Sequence, residues 1–123
     1  MTEKRLAFGK AGEKAAVAFL KKQGYRILKK NFRTAVGEID IIAEQGRTVV
    51  FIEVKTRSGD KFGHPFEAIT SAKQKKISRT AESFLSRFKV KDRDLRFDVV
   101  AVTGSPEEPD ALKVELLQDA FRL

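Results

Sequence analysis

The chain contains no cysteine, no tryptophan, three prolines and a single histidine among its 123 residues. Without cysteine it can form neither a disulfide nor a thiolate metal site, a composition typical of reducing compartments. No orienting partner is evident near the single histidine, His64, so we interpret it as a loop residue and not as a catalytic base. No stretch follows the GxxxxGK[ST] pattern of phosphate-binding loops, which argues against nucleoside triphosphate hydrolysis.

Long apolar runs are absent as well. The apolar stretch nearest the start of the chain covers residues 15–20 and is bounded by lysines, which is unlike a signal peptide. Nothing approaches the roughly 18 consecutive apolar residues that span a membrane. With 41% hydrophobic residues, the chain can bury one core. We therefore expect a single cytoplasmic domain over residues 1–123, without membrane association.

Positive charge is in excess and is unevenly placed. The formal net charge is +8, and the sequence pI is about 9.9. Residues 1–34 carry ten lysines and arginines against two glutamates, and a second basic stretch covers residues 55–79. Such clusters favour binding of a nucleic acid through its phosphates. A solvated helix face that aids solubility is the alternative.

Two short stretches, residues 37–43 and 49–55, have the Val, Ile and Phe content of strands but also carry charged residues. Between them, Gly46 and Arg47 suit a two-residue type II′ hairpin turn. With this turn, two residues on opposite strands face each other when their residue numbers add up to 93, as 46 and 47 do. One face of the hairpin is predicted to be wholly apolar, formed by Ile39, Ile41 and Ala43 against Val54, Ile52 and Val50.

The other face of this hairpin concentrates charge, with Asp40 opposite Glu53 and Glu38 opposite Lys55. Like charges directly opposed across two strands are destabilising, so the two carboxylates require a cation between them. Mg²⁺ or Mn²⁺ prefers such oxygen ligands and is often held by one or two carboxylates, and the Val54 carbonyl could be a further ligand. Lys55 could orient or deprotonate an attacking water or stabilise a reacting phosphate. The alternative is a structural ion-pair cluster in which Glu38 neutralises Lys55.

Glu13 occupies an unusual position on the first predicted helix. Its neighbours three, four and seven residues later are all apolar, so its carboxyl group is expected to point toward the apolar stripe. Acidic side chains are seldom buried without a partner. Burial alone leaves open an ion pair with Arg26 or Lys29 at the junction of helix and sheet.

Asp40 followed by Glu53-Val54-Lys55 resembles the D…(E)xK signature of the restriction-endonuclease-like nucleases, although the proline that opens that signature is absent. The resemblance covers most of the chain and extends to the YraN family of small bacterial endonuclease-like proteins, which is related to archaeal Holliday-junction resolvases. The matching segments are Gly9…Gly12-Glu13 and residues 24–28, 37–40, 51–57, 62–65 and 96–100.

The resemblance implies a restriction-endonuclease-like fold and a metal-dependent endonuclease that hydrolyses DNA phosphodiesters, with branched DNA as a candidate substrate. It implies Mg²⁺ or Mn²⁺ as the cofactor, Glu13 as a ligand that reaches the metal from the first helix, and Gln74 as a catalytic contributor from the second. We expect phosphate contacts, which position a nucleic acid without reading its sequence, from the basic residues Lys10, Lys14, Arg57, Lys73, Lys75 and Lys76.

Periodicity and turn signals predict the order α-β-β-β-α-β plus a terminal strand, which is an α/β core with a mixed sheet flanked by helices. The first helix is expected over residues 10–23, ending at Gly24, and the second from a capping Ser71, with Ile77, Ala81, Phe84, Leu85 and Phe88 facing the sheet. The strands are expected at 25–32, within the hairpin 38–56, at 95–103 and at 111–117, the last at a sheet edge after an exposed turn at 104–110. Asp98 is interpreted as a partner of Arg96 or as a cap for a loop.

Two other functions remain open from the sequence, namely a non-catalytic nucleic-acid-binding module on a nuclease fold and a basic adaptor for an acidic partner protein. A chain of 123 residues leaves little room for a separate recognition domain. Specific cleavage would therefore require a homodimer, a partner protein, or recognition of structure in place of sequence. RNA is as compatible with these features as DNA.

Overall fold

The computed structural model describes residues 3–58, 69–105 and 107–122. The elements in chain order are α1 (Glu3–Lys22), β1 (Arg26–Arg33), β2 (Glu38–Gln45), β3 (Thr48–Arg57), α2 (Ser71–Arg87), β4 (Asp94–Ser105) and β5 (Glu108–Leu117). The predicted α/β class and element order are confirmed. His64 lies outside the described residues. Neither helix in these ranges is both long and apolar enough to cross a lipid bilayer.

The five strands form one mixed sheet in the order β1-β2-β3-β4-β5. β3 and β4 are parallel, and the other neighbouring strands are antiparallel. A parallel pair needs a long crossover connection, and here that connection contains α2. β5 lies at the sheet edge, as predicted.

Each helix covers one face of the sheet with apolar side chains. The core on the face covered by α1, the α1 face, contains Ala16, Leu20, Tyr25, Ile41, Ala43, Val50, Ile52, Val100 and Val102. The core on the opposite face, the α2 face, contains Phe32, Ile39, Ile42, Val49, Phe51, Ile77, Ala81 and Phe84. β3 is thus buried on both faces over its first half, and charged side chains appear only toward its end.

The start of α1 and the end of the sheet differ from the predicted boundaries. α1 begins at Glu3 and not at residue 10, because the helix continues through Gly9 and the buried Phe8 extends its apolar side. β4 continues to Ser105 and β5 begins at Glu108. The predicted turn over residues 104–110 is therefore mostly strand.

Both ends of α2 also differ in detail from the expectation. The N-cap is Thr70 and not Ser71, since the Thr70 hydroxyl accepts the Lys73 N–H at 3.2 Å. At the other end, Phe88 is the C-cap and remains 49% exposed, although its ring lies 4.8 Å from that of Phe84. Phe88 still contacts the sheet, as predicted, because its ring packs edge-on against that of Phe32 of β1 at 6.4 Å.

Asp98 is a structural residue, as predicted. It is buried and forms an ion pair with Arg96 at 2.9 Å. It also accepts the Tyr25 hydroxyl at 2.7 Å and the Asp119 N–H at 2.9 Å. These bonds satisfy a buried charge and tie β1, β4 and the C-terminal residues together.

Candidate metal centre and nucleic-acid interface

The β2–β3 hairpin has the predicted register, and the predicted apolar face is confirmed for every residue except Ile39. Ile41 pairs with Ile52, which follows the rule of numbers that sum to 93, and Gly46 has the φ of 60° that a type II′ turn requires at this position. The expectation that Ile39 shares the face of Ile41 is wrong. Ile39 packs in the core of the α2 face, and Ile41 packs in that of the α1 face.

This change of face occurs at Asp40, where the two strands separate. Backbone pairing ends at Ile41 and Ile52, and beyond it the Asp40 carboxylate accepts the Val54 N–H at 2.8 Å. A side-chain acceptor replaces a backbone acceptor, and the alternation of side chains along β2 is interrupted. Asp40 consequently borders cavities on both faces of the sheet.

The cavity on the α2 face, which we call the carboxylate cavity, has a volume of about 250 Å³. It is lined by Gly37, Glu38, Asp40, Glu53, Lys73, Lys76 and Ile77. The Glu53 side chain is 15% exposed and accepts the Lys73 ammonium at 2.6 Å. Asp40 and Glu53 therefore line one cavity, and a cation, Lys73, already contacts one of the two carboxylates.

Burial raises the pKa of Asp40 from its ordinary value of 3.8 to about 7. The hydrogen bond from the Val54 N–H lowers this pKa, whereas the neighbouring carboxyl groups of Glu53, Glu38 and Glu13 raise it further. A cation next to Asp40 would oppose both the desolvation and the repulsion. An acid perturbed in this way and lining a cavity is a candidate functional group.

The cavity on the α1 face, which we call the helix cavity, has a volume of about 370 Å³ and is lined by Leu6, Gly9, Lys10, Glu13, Asp40, Val54 and Thr56. The Glu13 Oε1 atom is buried and has no hydrogen-bond partner in the part of the chain that the structure describes. A buried carboxyl oxygen without a partner is costly. This oxygen suits a cation held beside Asp40.

The alternative explanation for Glu13, an ion pair with Arg26 or Lys29, is wrong. Arg26 pairs with Glu44 at 2.7 Å, and the Lys29 ammonium lies 5.7 Å from the centre of the Phe88 ring. Both cations are therefore engaged away from Glu13.

Gly12 brings Glu13 to this position. A Cβ at Gly12 would overlap the hydroxyl of Thr56, so only glycine permits α1 to approach β3 this closely without a shift. The residue that follows Gly12 on the helix then faces the end of β3. Gly12 thus positions the Glu13 carboxyl group by allowing α1 to pack against Thr56.

The carboxyl groups suit a hard divalent cation, although they do not form a complete ligand cage. Within the described ranges, no three Asp, Glu or His side chains are grouped closely enough to hold a metal by themselves. Mg²⁺ often takes only one or two carboxylates and completes its shell with water and phosphate. Asp40 and Glu53 meet that requirement, and the unpaired oxygen of Glu13 lies across a cavity shared with Asp40.

Lys55 and Gln74 are not among the residues that line the carboxylate cavity or the helix cavity. Lys55 is partly buried near the end of β3, and strand alternation puts it on the same face as Glu53. The Gln74 amide donates to the Ile69 carbonyl at 2.8 Å, and Gln74 is not among the residues that line either acidic cavity. The structure therefore does not bring Gln74 to the candidate centre, because its side chain is engaged at the start of α2.

Three of the six predicted phosphate-binding residues line the two cavities. Lys73 and Lys76 line the carboxylate cavity, and Lys10 lines the helix cavity. Arg57 ends β3, and its buried Nε has no hydrogen-bond partner among the described residues. Lys14 lines a further cavity on α1, and Lys75 is an exposed residue of α2.

Sequence reasoning missed two features of this region. The ion pair of Glu38 with Arg33 at 3.3 Å was not predicted. Asn31, which was not considered, has a left-handed φ of 54° inside β1. Asn is disfavoured within strands, and that property was the signal available in the sequence.

The fold and the candidate centre together define a small α/β protein with a mixed five-stranded sheet and a carboxylate-lined opening where its β2–β3 hairpin separates. The chain belongs to the UPF0102 family, also called YraN, because the model of "Uncharacterised protein family UPF0102" matches residues 12–102. The resemblance to the YraN family is thereby confirmed.

Similar proteins cover the same length as this chain. A UPF0102 protein of Caldicellulosiruptor saccharolyticus is 51% identical over 113 residues, which cover 92% of this chain and 95% of the relative. A UPF0102 protein of Syntrophus aciditrophicus is 47% identical over 118 residues, covering 96% and 91%. One of Symbiobacterium thermophilum is 47% identical over 113 residues, covering 92% and 94%. These names state family membership and no activity.

Proposed function

We propose that the protein is a metal-dependent endonuclease that hydrolyses phosphodiester bonds of DNA, with branched DNA as a candidate substrate. The observation that carries the proposal is that Asp40 and Glu53 line one cavity together with Lys73 and Lys76. Carboxylates that bind a cation, with lysines that bind phosphate at their side, are the groups that phosphodiester hydrolysis needs. The electrostatics support it, since the pKa of Asp40 is raised to about 7 by burial and by the carboxylates around it.

Asp40 and Glu53 would hold Mg²⁺ or Mn²⁺, with the Val54 carbonyl and Glu13 as further ligands. When bound, such a cation would polarise the phosphate and lower the pKa of an attacking water. The hydrogen bond between Asp40 and the Val54 N–H fixes the orientation of the Asp40 carboxylate. Because that hydrogen bond engages Oδ2, Oδ1 would be the oxygen offered to a cation.

Lysines of the centre supply the remaining functions. Lys55, on the same face as Glu53, would orient the attacking water or stabilise the charge that develops on the phosphate. Lys73 contacts Glu53, and a phosphate at the carboxylate cavity would compete for its ammonium group. Phosphate contacts by Lys76 would hold the substrate without reading its sequence.

A second candidate function, nucleic-acid binding without catalysis, is favoured by one specific observation. The Lys73 ammonium forms an ion pair with the Glu53 carboxylate at 2.6 Å. Within the residues that the structure describes, no three acidic or histidine side chains are grouped as metal ligands. A centre closed by a lysine in this way would bind phosphates but cleave nothing. The two candidates therefore differ in whether a divalent cation displaces Lys73 from Glu53.

Cleavage of linear, flapped and four-way DNA with Mg²⁺ or Mn²⁺, at fixed salt, tests the proposal. Asp40→Asn and Glu53→Gln should abolish metal-dependent cleavage and leave DNA affinity equal or higher, because each removes a negative charge that repels phosphate. Lys55→Ala should also abolish cleavage but should weaken binding slightly.

Glu44→Gln provides the matched control. Glu44 lies on the same strand as Asp40 but pairs with Arg26 and Arg93, so its substitution should leave cleavage intact. Cleavage that persists in all four variants would reveal a contaminating nuclease. A folded, DNA-binding wild-type protein that cuts none of the substrates with either metal would reject the nuclease and leave the binding module.

A further inference from the structure

A third cavity adjoins the helix cavity and is predominantly basic. Its volume is about 360 Å³, and its lining residues are Lys10, Glu13, Lys14, Val17, Lys30 and Asn31. Lys10 and Glu13 line the helix cavity as well, so the two cavities meet along α1. Asp40 also lines the helix cavity, so the basic cavity lies on the α1 face next to the candidate centre.

The three lysines of this basic cavity are available to a ligand. Among the described residues, none of Lys10, Lys14 and Lys30 forms an ion pair or hydrogen bond with an acidic side chain. By contrast, Arg26 and Arg33 on the same strand as Lys30 are both paired with glutamates. Three unpaired ammonium groups around one concave surface favour an anion.

Asn31 links this cavity to the candidate centre. Lys30 pairs with Ile41 and Phe32 pairs with Ile39, so the intervening Asn31 lies directly across from Asp40. Its φ of 54° is a conformation that Asn tolerates better than most residues. Backbone strain of this kind concentrates at functional sites, and here it adjoins both the basic cavity and Asp40.

We propose that Lys10, Lys14, Lys30 and Asn31 form a phosphate-binding subsite for one strand of a polynucleotide. The subsite holds a phosphate group next to the phosphodiester that lies at Asp40 and Glu53. This inference rests on the proposed function for the position of the reacting bond, but binding at the subsite requires neither a metal nor cleavage. The strand would lie on the α1 face, beside the helix cavity that Asp40 lines.

The test measures binding of a fluorescent oligothymidylate of about 12 nucleotides, a length within the site sizes of single-strand binders. Fluorescence anisotropy would be recorded in EDTA at several salt concentrations, so that no cleavage can occur. For single strands each phosphate contact contributes about 0.7 to the slope of log K against log salt. Lys30→Gln and Lys14→Gln should each lower that slope by about 0.7 and weaken binding about fivefold at 0.1 M salt.

Lys29→Gln is the matched control, because it removes the same charge from the adjacent residue of the same strand. Lys29 lies against the Phe88 ring on the α2 face and should leave slope and affinity within twofold of the wild type. Asn31→Gly keeps the left-handed backbone accessible and removes the amide, so it should weaken binding without lowering the melting temperature.

Equal effects of Lys29→Gln and Lys30→Gln would overturn the subsite in favour of diffuse charge attraction, and so would a wild-type protein that does not bind the oligonucleotide. If Lys30→Gln binds the oligonucleotide about fivefold more weakly and the wild-type protein cleaves DNA under no condition, the subsite is upheld and the nuclease is rejected. Failure of the subsite and failure of the proposed activity are thereby distinguished.

Discussion

At the scale of single residues, the burial of Asp40 opposes the ionisation of its carboxyl group. The fold withdraws its carboxyl group from water and surrounds it with Glu53, Glu38 and Glu13, which raises its pKa to about 7. Its one compensating contact is the N–H of Val54. A group held in this way destabilises the folded protein whenever it is ionised.

The raised pKa of Asp40 predicts a pH dependence of stability. Because the folded protein keeps this proton between the ordinary value of 3.8 and about 7, the folded state binds more protons than the unfolded state, and the contribution of Asp40 to stability falls as pH rises through that window. Asp40→Asn cannot ionise, so its stability relative to wild type should increase from pH 4 to pH 8 by on the order of 2–4 kcal/mol. Urea denaturation at both pH values measures this.

Asp94→Asn is the control for that experiment, since Asp94 is exposed at the start of β4. Its stability relative to wild type should not change with pH by a comparable amount. A difference between Asp40→Asn and wild type that stays constant from pH 4 to pH 8 would contradict the raised pKa.

The ion pair between Lys73 and Glu53 predicts competition with a bound metal. Since the Lys73 ammonium contacts a proposed ligand oxygen at 2.6 Å, a cation must displace it. Lys73 is 48% exposed, and such pairs are worth about 0.2–1 kcal/mol. Lys73→Gln should therefore raise the affinity for Mn²⁺ by about two- to fivefold, as measured by isothermal titration calorimetry.

Lys75→Gln removes the same charge from an exposed position two residues further along α2, and it should leave the Mn²⁺ affinity nearly unchanged. If Lys73→Gln lowers that affinity, or alters it no more than Lys75→Gln does, Lys73 does not compete for the metal ligand.

At the scale of secondary-structure elements, the close approach of α1 to β3 positions Glu13. Gly12→Ala would force a Cβ into the Thr56 hydroxyl and should destabilise the protein by about 1–3 kcal/mol. Gly9→Ala places the same methyl group on the same helix, three residues earlier, where no atom lies within 4 Å in the described structure. It should be neutral or stabilising by up to about 1 kcal/mol, because alanine favours helices.

Denaturation of both variants measures the difference between Gly12 and Gly9. A Gly12→Ala protein as stable as Gly9→Ala would show that the helix has room to move, and Glu13 would then not be held in place by this contact.

The hairpin shows what the sequence could and could not predict about elements. The register followed from Gly46-Arg47, because a two-residue turn fixes which residues face each other. The face of Ile39 did not follow, since the Asp40 carboxylate accepts the Val54 N–H. Strand alternation alone does not anticipate a side chain that replaces a backbone acceptor. The cap of α2 was misplaced by one residue because Thr70 and Ser71 are both good caps.

At the scale of the whole molecule, the order of elements, the mixed sheet and the family could be predicted, because hydrophobic periodicity and the motif around Asp40 extend along the chain. The ion-pair partner of Glu53, Lys73, could not be predicted. Lys73 reaches it only after α2 docks against the sheet, and that contact joins residues 20 positions apart in sequence. The basic cavity likewise depends on how α1 packs against β1.

The basic residues of α1 and α2 reach the candidate centre from opposite faces of the sheet. Lys10, Lys14 and Lys30 lie on the side of the helix cavity, and Lys73 and Lys76 lie on the side of the carboxylate cavity. The excess charge that composition revealed is therefore divided around the acidic residues.

The most direct measurement of the central claim, that Asp40 and Glu53 form a metal centre, is paramagnetic broadening of amide NMR signals by substoichiometric Mn²⁺ at pH 8. The pH is chosen above the pKa of Asp40, about 7, because the ligand must be deprotonated. We expect the signals of Asp40, Glu53 and Val54 to broaden first, and those of Thr48 and Asp94, which pair at the far end of β3 and β4, to remain sharp. Broadening that is uniform, that is strongest elsewhere, or that persists around residue 40 in Asp40→Asn would contradict the claim.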